Sequence, residues 1–435
     1  MPRFPQLIAC IACCFPGLPV DLLLNRTLLA TLVPHLTLLC NTFPPDQGAA
    51  PARLLALAKF LQKEGYRVRV LTSMPHYPKA RVHTAYRGKS YLKETIEGVE
   101  VHRFWIYAAF NRSALQRIFS FISLNVSLLW YGRSLLLDHA TDGFLVQSPP
   151  IGLAWLVHRL AKFHRKPYYL NLSDLWPEAV EALGRSWFLK LPIWFARREM
   201  HQVYRAATFL FVQSAETQAI LTRQYGHKVG LLRTGFDTKA FHDHYQPIPG
   251  SPARTIVYFG VLGIAHDVVR IFQAIPYAQF DLHWQIVGSG SEYTLLEKLA
   301  GEQEQLTIRP FVAHEELVPI LYSAQVVLVC QGTRLVGTLP SKLYDAMAAG
   351  RPILYIGAGE GAEIVQTAQC GWVCSASDIS QIAYYLQLIQ DADLAELEQM
   401  GRHAFKYAWT HFGRNKQIAS AWHTMMQTTA LKNIK

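Results

Sequence analysis

The sequence predicts an α/β protein with two Rossmann-like, doubly wound parallel-sheet domains facing a cleft. Three observations carry this. A strand, a glycine-bearing loop, a helix and a second strand follow one another from His35 to Thr72. A second series of short apolar runs, each followed by helical sequence, begins at Thr255. Between the two series, Phe236 to Arg254 is rich in Pro, Gly, His and Asp and shows little periodicity, as an interdomain linker does.

The elements follow in order. His35 to Cys40 is an apolar run that leads into a loop ending at Gly48 and Ala50. Pro51 to Lys63 reads as an amphipathic helix, Gly65 ends it, and Arg67 to Thr72 is the next strand. Further strands are expected at Val99 to Trp105, Gly143 to Gln147, Pro167 to Asn171 and Phe209 to Gln213. Residues 114–137 form a long apolar helix, read mainly as buried. In the second series the strands are Thr255 to Phe259, Leu282 to Val287, Leu306 to Pro310, Val326 to Cys330 and Ile353 to Ile356. This places the domains at 35–236 and 255–410, with a linker at 237–254. Residues 411–435 form a terminal helix expected to pack back toward the first domain. Residues 1–34 are an extension: Leu7 to Leu18 is apolar, but Pro16 interrupts it and it is too short to span a bilayer.

Composition narrows the function. A chain of 435 residues is too long for one ordinary core. With 51% apolar and 17% charged residues it is globular with apolar surface to spare. A net charge of +11 suits nucleic acid, an anionic membrane or a phosphorylated substrate. No zinc-finger spacing, aromatic RNA-binding strand or basic arm supports a nucleic-acid partner. The seven cysteines form no paired Cys-x-x-Cys set, so no zinc site is implied and buried reduced thiols are expected.

Residues 338–352 carry the most chemistry. Thr338 and Ser341 offer capping oxygens, Pro340 suits a first helical turn, and Gly350 with Pro352 ends the helix. Leu343, Met347 and Tyr344 form its buried stripe, with Tyr344 also a candidate on the ligand side. A helix that starts after a strand and a polar loop offers free N–H groups and a dipole to an anion. Lys342 adds a full charge, and Asp345 can accept hydrogen bonds from a ribose diol. Phosphate plus ribose points to a nucleotide.

Other candidates keep two roles open. Gly260 to Gly263 is either a phosphate-approaching turn or an ordinary strand-to-helix turn. His266 could bind phosphate or cap the next helix, and Gly288 and Gly290 would allow close approach of a ligand. Phe311 and Val312 suit a nucleobase pocket, although Phe311 could equally be core. Asp174 ends a strand of the first domain and is either a substrate contact or a helix cap. Gln147 to Pro150 is a rigid loop after another strand.

Together these pieces resemble the retaining glycosyltransferases of the GT-B fold, family 4. The branch resembled builds bacterial surface polysaccharides and lipid-linked oligosaccharides. The likeness covers residues 35–425 and rests on several motifs in order: 43–48, Met74 to Pro78 with Tyr86 to Lys89, Ser148 to Pro150, Asp174 to Pro177, Gly235 to Phe241, Gly260 to Asp267, and Pro340 to Pro352. It implies transfer of a hexosyl or N-acetylhexosaminyl group from a nucleotide diphosphate sugar, most often UDP-linked. The first domain would bind the acceptor and the second the donor, with no bound cofactor or metal. Lys342 and the amides near Leu339 to Ser341 would hold the diphosphate, with Arg334 as a second cation. Asp345 would take the ribose, Val312 the base, and Gly48 the loop near the phosphates and acceptor. Asp174, Lys342 and Asp345 are the expected catalytic residues. The chain departs from the family at the Glu-x7-Glu pattern, where it has Gly337 and Asp345, and lacks the basic pair near Ala265 and His266.

Trp187, Phe188, Leu189, Leu191, Trp194 and Phe195 lie among Arg185, Lys190, Arg197 and Arg198, a mixture suited to a lipid interface. The expectation is a cytoplasmic protein on the inner face of an anionic membrane, with a lipid-linked or glycan acceptor. Two alternatives remain: a nucleotide-sugar epimerase of the same fold, and a GT-B scaffold without turnover.

Overall fold

The structure is a computed structural model that describes residues 33–78, 80–109, 114–175, 190–226, 228–251, 253–263, 267–332, 337–375 and 378–432. The first domain is built from β1 (His35–Leu39), α1 (Ala49–Lys63), β2 (Arg67–Ser73), β3 (Tyr91–Ile96), β4 (Val99–Phe104), α2 (Ala114–Tyr131) and α3 (Arg133–Leu136). It continues through β5 (Gly143–Ser148), α4 (Ile151–His164), β6 (Tyr168–Leu172), α5 (Lys190–Ala206), β7 (Phe209–Val212), α6 (Ala215–Tyr225) and β8 (Val229–Leu231). The second contains β9 (Arg254–Val261), α7 (Val268–Gln273), β10 (Leu282–Ser289), α8 (Tyr293–Glu302), β11 (Leu306–Arg309), α9 (His314–Ser323) and β12 (Val326–Cys330). α10 (Lys342–Ala348), β13 (Ile353–Ile356), α11 (Glu360–Ala368), β14 (Gly371–Cys374), α12 (Ile382–Asp391), α13 (Leu394–His411) and α14 (Arg414–Lys432) complete the chain.

The first sheet runs β3-β4-β2-β1-β5-β6-β7-β8 and the second β11-β10-β9-β12-β13-β14. Every pairing is parallel except the β3–β4 hairpin. In each sheet the order reverses beside the first strand, β1 or β9, so a crevice opens at that strand's carboxyl end. Apolar clusters cover both faces of both sheets, as parallel strands require.

Helix α14 lies on the first sheet: Ile418, Ala421, Trp422 and Met425 are buried with Leu54, Leu57 and Leu61 of α1. The chain therefore crosses between lobes twice, and the crossings lie side by side. Phe236 N–H donates to Phe412 O at 3.0 Å, and Arg414 N–H donates to Phe236 O at 2.9 Å. Gly235 has φ +58°, and a Cβ there would lie 2.4 Å from Phe412 O, so only glycine fits this crossing.

The structure also corrects the sequence reading. Strands β3, β8 and β14 were not expected; β3 alternates exposed and half-buried residues and lies at a sheet edge, where the apolar signal is weak. The helix over 114–137 breaks at Gly132, and it is not mainly buried. Leu124 and Leu128 face inward, but Ile118, Phe119, Ile122, Val126, Leu129 and Trp130 face outward, with Trp130 78% exposed. An apolar run nearly all round a helix does not by itself say which side meets protein. Trp187, Phe188 and Leu189 fall outside the described residues, as do residues 1–32.

Candidate donor site and its facing lobe

Lys342 opens α10 and is 7% exposed. Its ammonium donates to Tyr258 Oη at 2.7 Å and sits 4.0 Å from the centre of that ring. It lies at the carboxyl end of β9, where a Cβ on Gly260 would come within 3.3 Å of Lys342 Nζ. Gly260 has φ +114°, so the turn and the lysine both require glycine there. Burial lowers the Lys342 pKa from 10.5 to about 8. A phenol and a ring face do not neutralise an ammonium; an arriving phosphate would.

The predicted caps do not form. Ser341 is the N-cap but makes no side-chain capping bond, and the Thr338 hydroxyl instead accepts from Gln331 Nε2 at 2.6 Å. The helix N-terminus is thus left without a side-chain cap. Gly350 does end the helix, with φ +67°.

Asp345, one turn along, has His314 Nε2 3.6 Å from its Oδ1. The Asp345 carboxylate is the main cause of a raised His314 pKa. Tyr344 and Leu339 turn away from the ligand side: the Tyr344 ring is buried edge-on against Phe412 at 4.9 Å, and Leu339 packs into the same apolar cluster. Phe311 is not core. It is 37% exposed just beyond β11, and its N–H donates to Ser289 Oγ at 3.1 Å. Val312, next along, is half-buried against the second-domain core.

Gly288 and Gly290 serve packing. A Cβ on Gly288 would lie 2.1 Å from Gly260 O, and one on Gly290 1.9 Å from Leu262 O. Their missing side chains make room for the neighbouring turn's own backbone. Gly263 meets nothing closer than 3.8 Å. His266 and Arg334 lie outside the described residues.

The first lobe presents its own carboxyl edge. Gly48, with φ +116°, starts α1, and Tyr77 packs 3.1 Å from where its Cβ would stand. Asp46 ties the two loops there together: its Oδ1 accepts from the N–H groups of His76 and Tyr77, each at 2.7 Å. Asp174 follows β6, and burial raises its pKa while Arg53 opposes the rise.

Arg53 is the functional-region residue that sequence reasoning missed. It is buried and donates to Gln213 Oε1 at 2.7 Å, Thr234 Oγ1 at 2.6 Å, Gln147 Oε1 at 3.2 Å and Ser173 Oγ at 3.2 Å. It therefore knits four strand ends of this edge. A signal existed: Arg53 shares the helical stripe of Leu57 and Leu61, where an arginine is out of place unless its charge is used. His314 gave no such signal.

Residues 253–391 match the family described as Glycosyl transferases group 1, and residues 48–232 match the Glycosyl transferase 4-like domain. Glycosyltransferase family models thus match both halves of the chain. No curated protein matches it. Among solved structures, sucrose-phosphate synthase from Thermosynechococcus elongatus aligns with TM-score 0.68 at 16% identity, over 92% of this chain and all of that one. The Anabaena protein HepE, in complex with UDP and glucose, aligns with TM-score 0.64 at 14% identity, over 90% of this chain and 99% of its own. WaaG, a glycosyltransferase involved in lipopolysaccharide biosynthesis, aligns with TM-score 0.61 at 13% identity, over 89% of this chain and 98% of its own. At such identities the likeness speaks for the fold, which is GT-B. No helix among the described residues is long and apolar enough to cross a membrane.

Proposed function

We propose that this glycosyltransferase takes its sugar from a UDP-linked donor and passes it, with retention of configuration, to a lipid-linked or polysaccharide acceptor. One observation carries the reading: Lys342 is a buried ammonium at the carboxyl end of β9 whose bonding partner is a phenol, not an anion. Its ammonium would hold the donor diphosphate and neutralise it as it leaves. Asp345 would take the ribose, Phe311 and Val312 the base, and Asp174 the acceptor from across the cleft. The HepE structure with UDP and glucose, on the same fold, supports the choice of nucleotide.

The acceptor reading draws on the surface of the first lobe. The outer face of α2 is apolar, and Trp155 and Phe163 of α4 with Trp194 and Phe195 of α5 are exposed on neighbouring helices. Arg159 lies over the Trp155 ring, 5.1 Å from its centre, and Lys162 is on the same helix. Aromatic and aliphatic residues beside basic ones suit peripheral contact with an anionic membrane that carries the acceptor.

The test is transfer from a panel of UDP-sugars and GDP-sugars to a polyprenyl diphosphate-linked sugar, with the product anomer read by NMR. Transfer from a UDP-sugar with the donor's anomeric configuration is expected. Product from donor alone would favour an epimerase. Turnover with GDP-sugars alone would overturn the donor assignment.

A further inference from the structure

The two lobes exchange carboxylates. Glu360 opens α11 of the second lobe and reaches the start of α6 in the first. Its Oε2 accepts from Ala215 N–H at 2.7 Å and lies 3.4 Å from Glu216 N. Its other oxygen pairs with Arg233 of the first lobe, and both side chains are largely buried. Ser214 Oγ accepts from Thr217 N–H at 3.1 Å, so Glu360 supplies what α6's own cap leaves open. In return, Glu216 Oε2 accepts from Gly337 N–H of the second lobe at 2.9 Å.

Gly337 has φ +77°, and a Cβ there would stand 1.8 Å from Thr217 Oγ1. The contact is so close that only glycine fits. From the other side, Gln331 donates to Thr338 Oγ1 at 2.6 Å while accepting from the Tyr355 hydroxyl at 2.9 Å. Residues 337–338, which lead directly to Lys342, are therefore held by one lobe through Glu216 and by the other through Gln331.

We propose that Glu216 and Glu360 are positioning residues that clamp the lobes together and seat the backbone leading to Lys342 for donor binding. The largely buried Arg233–Glu360 pair is screened by salt and water less than a surface pair is, so it holds the closed arrangement more firmly. A donor that binds the clamped form better than the open form draws on the clamp; without it, apparent affinity falls by the fraction still closed.

This rests on the UDP reading for one arm of its test and not for the other. Small-angle scattering of the full chain reads lobe separation, and calorimetry reads UDP affinity. Glu360→Ala and Glu216→Ala are each expected to raise the radius of gyration and weaken UDP binding about tenfold, as loss of one charge-assisted hydrogen bond from a closing equilibrium would. Glu363→Gln, exposed on the same helix, is expected to change neither. Because effects within one clamp overlap, the double alanine variant should lose less than the sum. Circular dichroism confirms folding. Folded Glu360→Ala with wild-type radius and wild-type UDP affinity would overturn the proposal. If the wild type binds no UDP, the donor reading fails and the radius alone decides the clamp.

Discussion

Two buried cations face this cleft, and they are built differently. Arg53 places its four Nη donor positions on four neutral acceptors from Gln213, Thr234, Gln147 and Ser173. Lys342 has one phenol and one aromatic face. Both pay in desolvation, and burial lowers both pKa values, Arg53 to about 10 and Lys342 to about 8. The guanidinium is a brace whose two terminal nitrogens bond its own lobe, with Nε alone left without a partner. The ammonium, which has three donors, makes one hydrogen bond among the described residues, to Tyr258. Removing the brace should damage the fold; removing the ammonium should damage binding and relieve the fold.

The largest expected effect is on the brace. Arg53→Met removes four hydrogen bonds and leaves Gln147 Oε1 without a donor, although Thr234 still donates to Gln213 and Gln147 Nε2 to Ser173. It should lower unfolding stability by ~3 kcal/mol, read by urea denaturation. A loss below a few tenths would show that these bonds contribute little. The lysine should behave oppositely. Its pKa shift corresponds to a cost on the order of 3 kcal/mol at neutral pH, so Lys342→Met should be more stable than wild type while losing UDP affinity.

The pH dependence sharpens the contrast. The native Lys342 pKa of about 8 lies below its unfolded value of 10.5. Between the two the unfolded chain binds more protons, so this residue makes stability rise as pH increases from about 8 toward 10.5. Over the same range UDP affinity should fall as the ammonium is lost. Lys342→Met should remove both trends. Equal slopes in the two proteins would place the titration elsewhere.

Smaller effects follow at the periphery of the site. Asp345→Ala should weaken UDP binding about tenfold, the cost of a lost charge-assisted hydrogen bond. It should also let the His314 pKa, read by NMR, drop toward its ordinary value. Smallest is the membrane face: Trp130→Ser with Phe119→Ser should reduce pelleting with anionic liposomes several-fold and leave UDP affinity unchanged. Undiminished pelleting would move the membrane contact off α2.

Much of the fold was legible because buried parallel strands are short continuous apolar runs. Val326–Cys330 and Ile353–Ile356 were readable to the residue. Edge strands such as Tyr91–Ile96 were not, because their burial alternates weakly. In the site, Lys342 and Asp345 were legible from residue type and helix position. The roles of Gly288, Gly290 and Gly337 were not, since a sequence does not say whether the space beside a glycine holds a ligand or the protein's own backbone. Arg53, one turn into an apolar stripe, was visible in principle; its partners lie 94 to 181 positions away. Whether the apolar helix α2 faced core or solvent depended on packing that periodicity does not encode.

The central claim is that the Lys342 ammonium is the seat of the donor diphosphate. Calorimetric titration of UDP into the wild type and Lys342→Ala, with GDP as comparison, tests it most directly. Saturable UDP binding that weakens at least tenfold in Lys342→Ala is the predicted result, since a charge-assisted hydrogen bond is worth ~1.5–3 kcal/mol. Equal UDP affinity in the two folded proteins would contradict it.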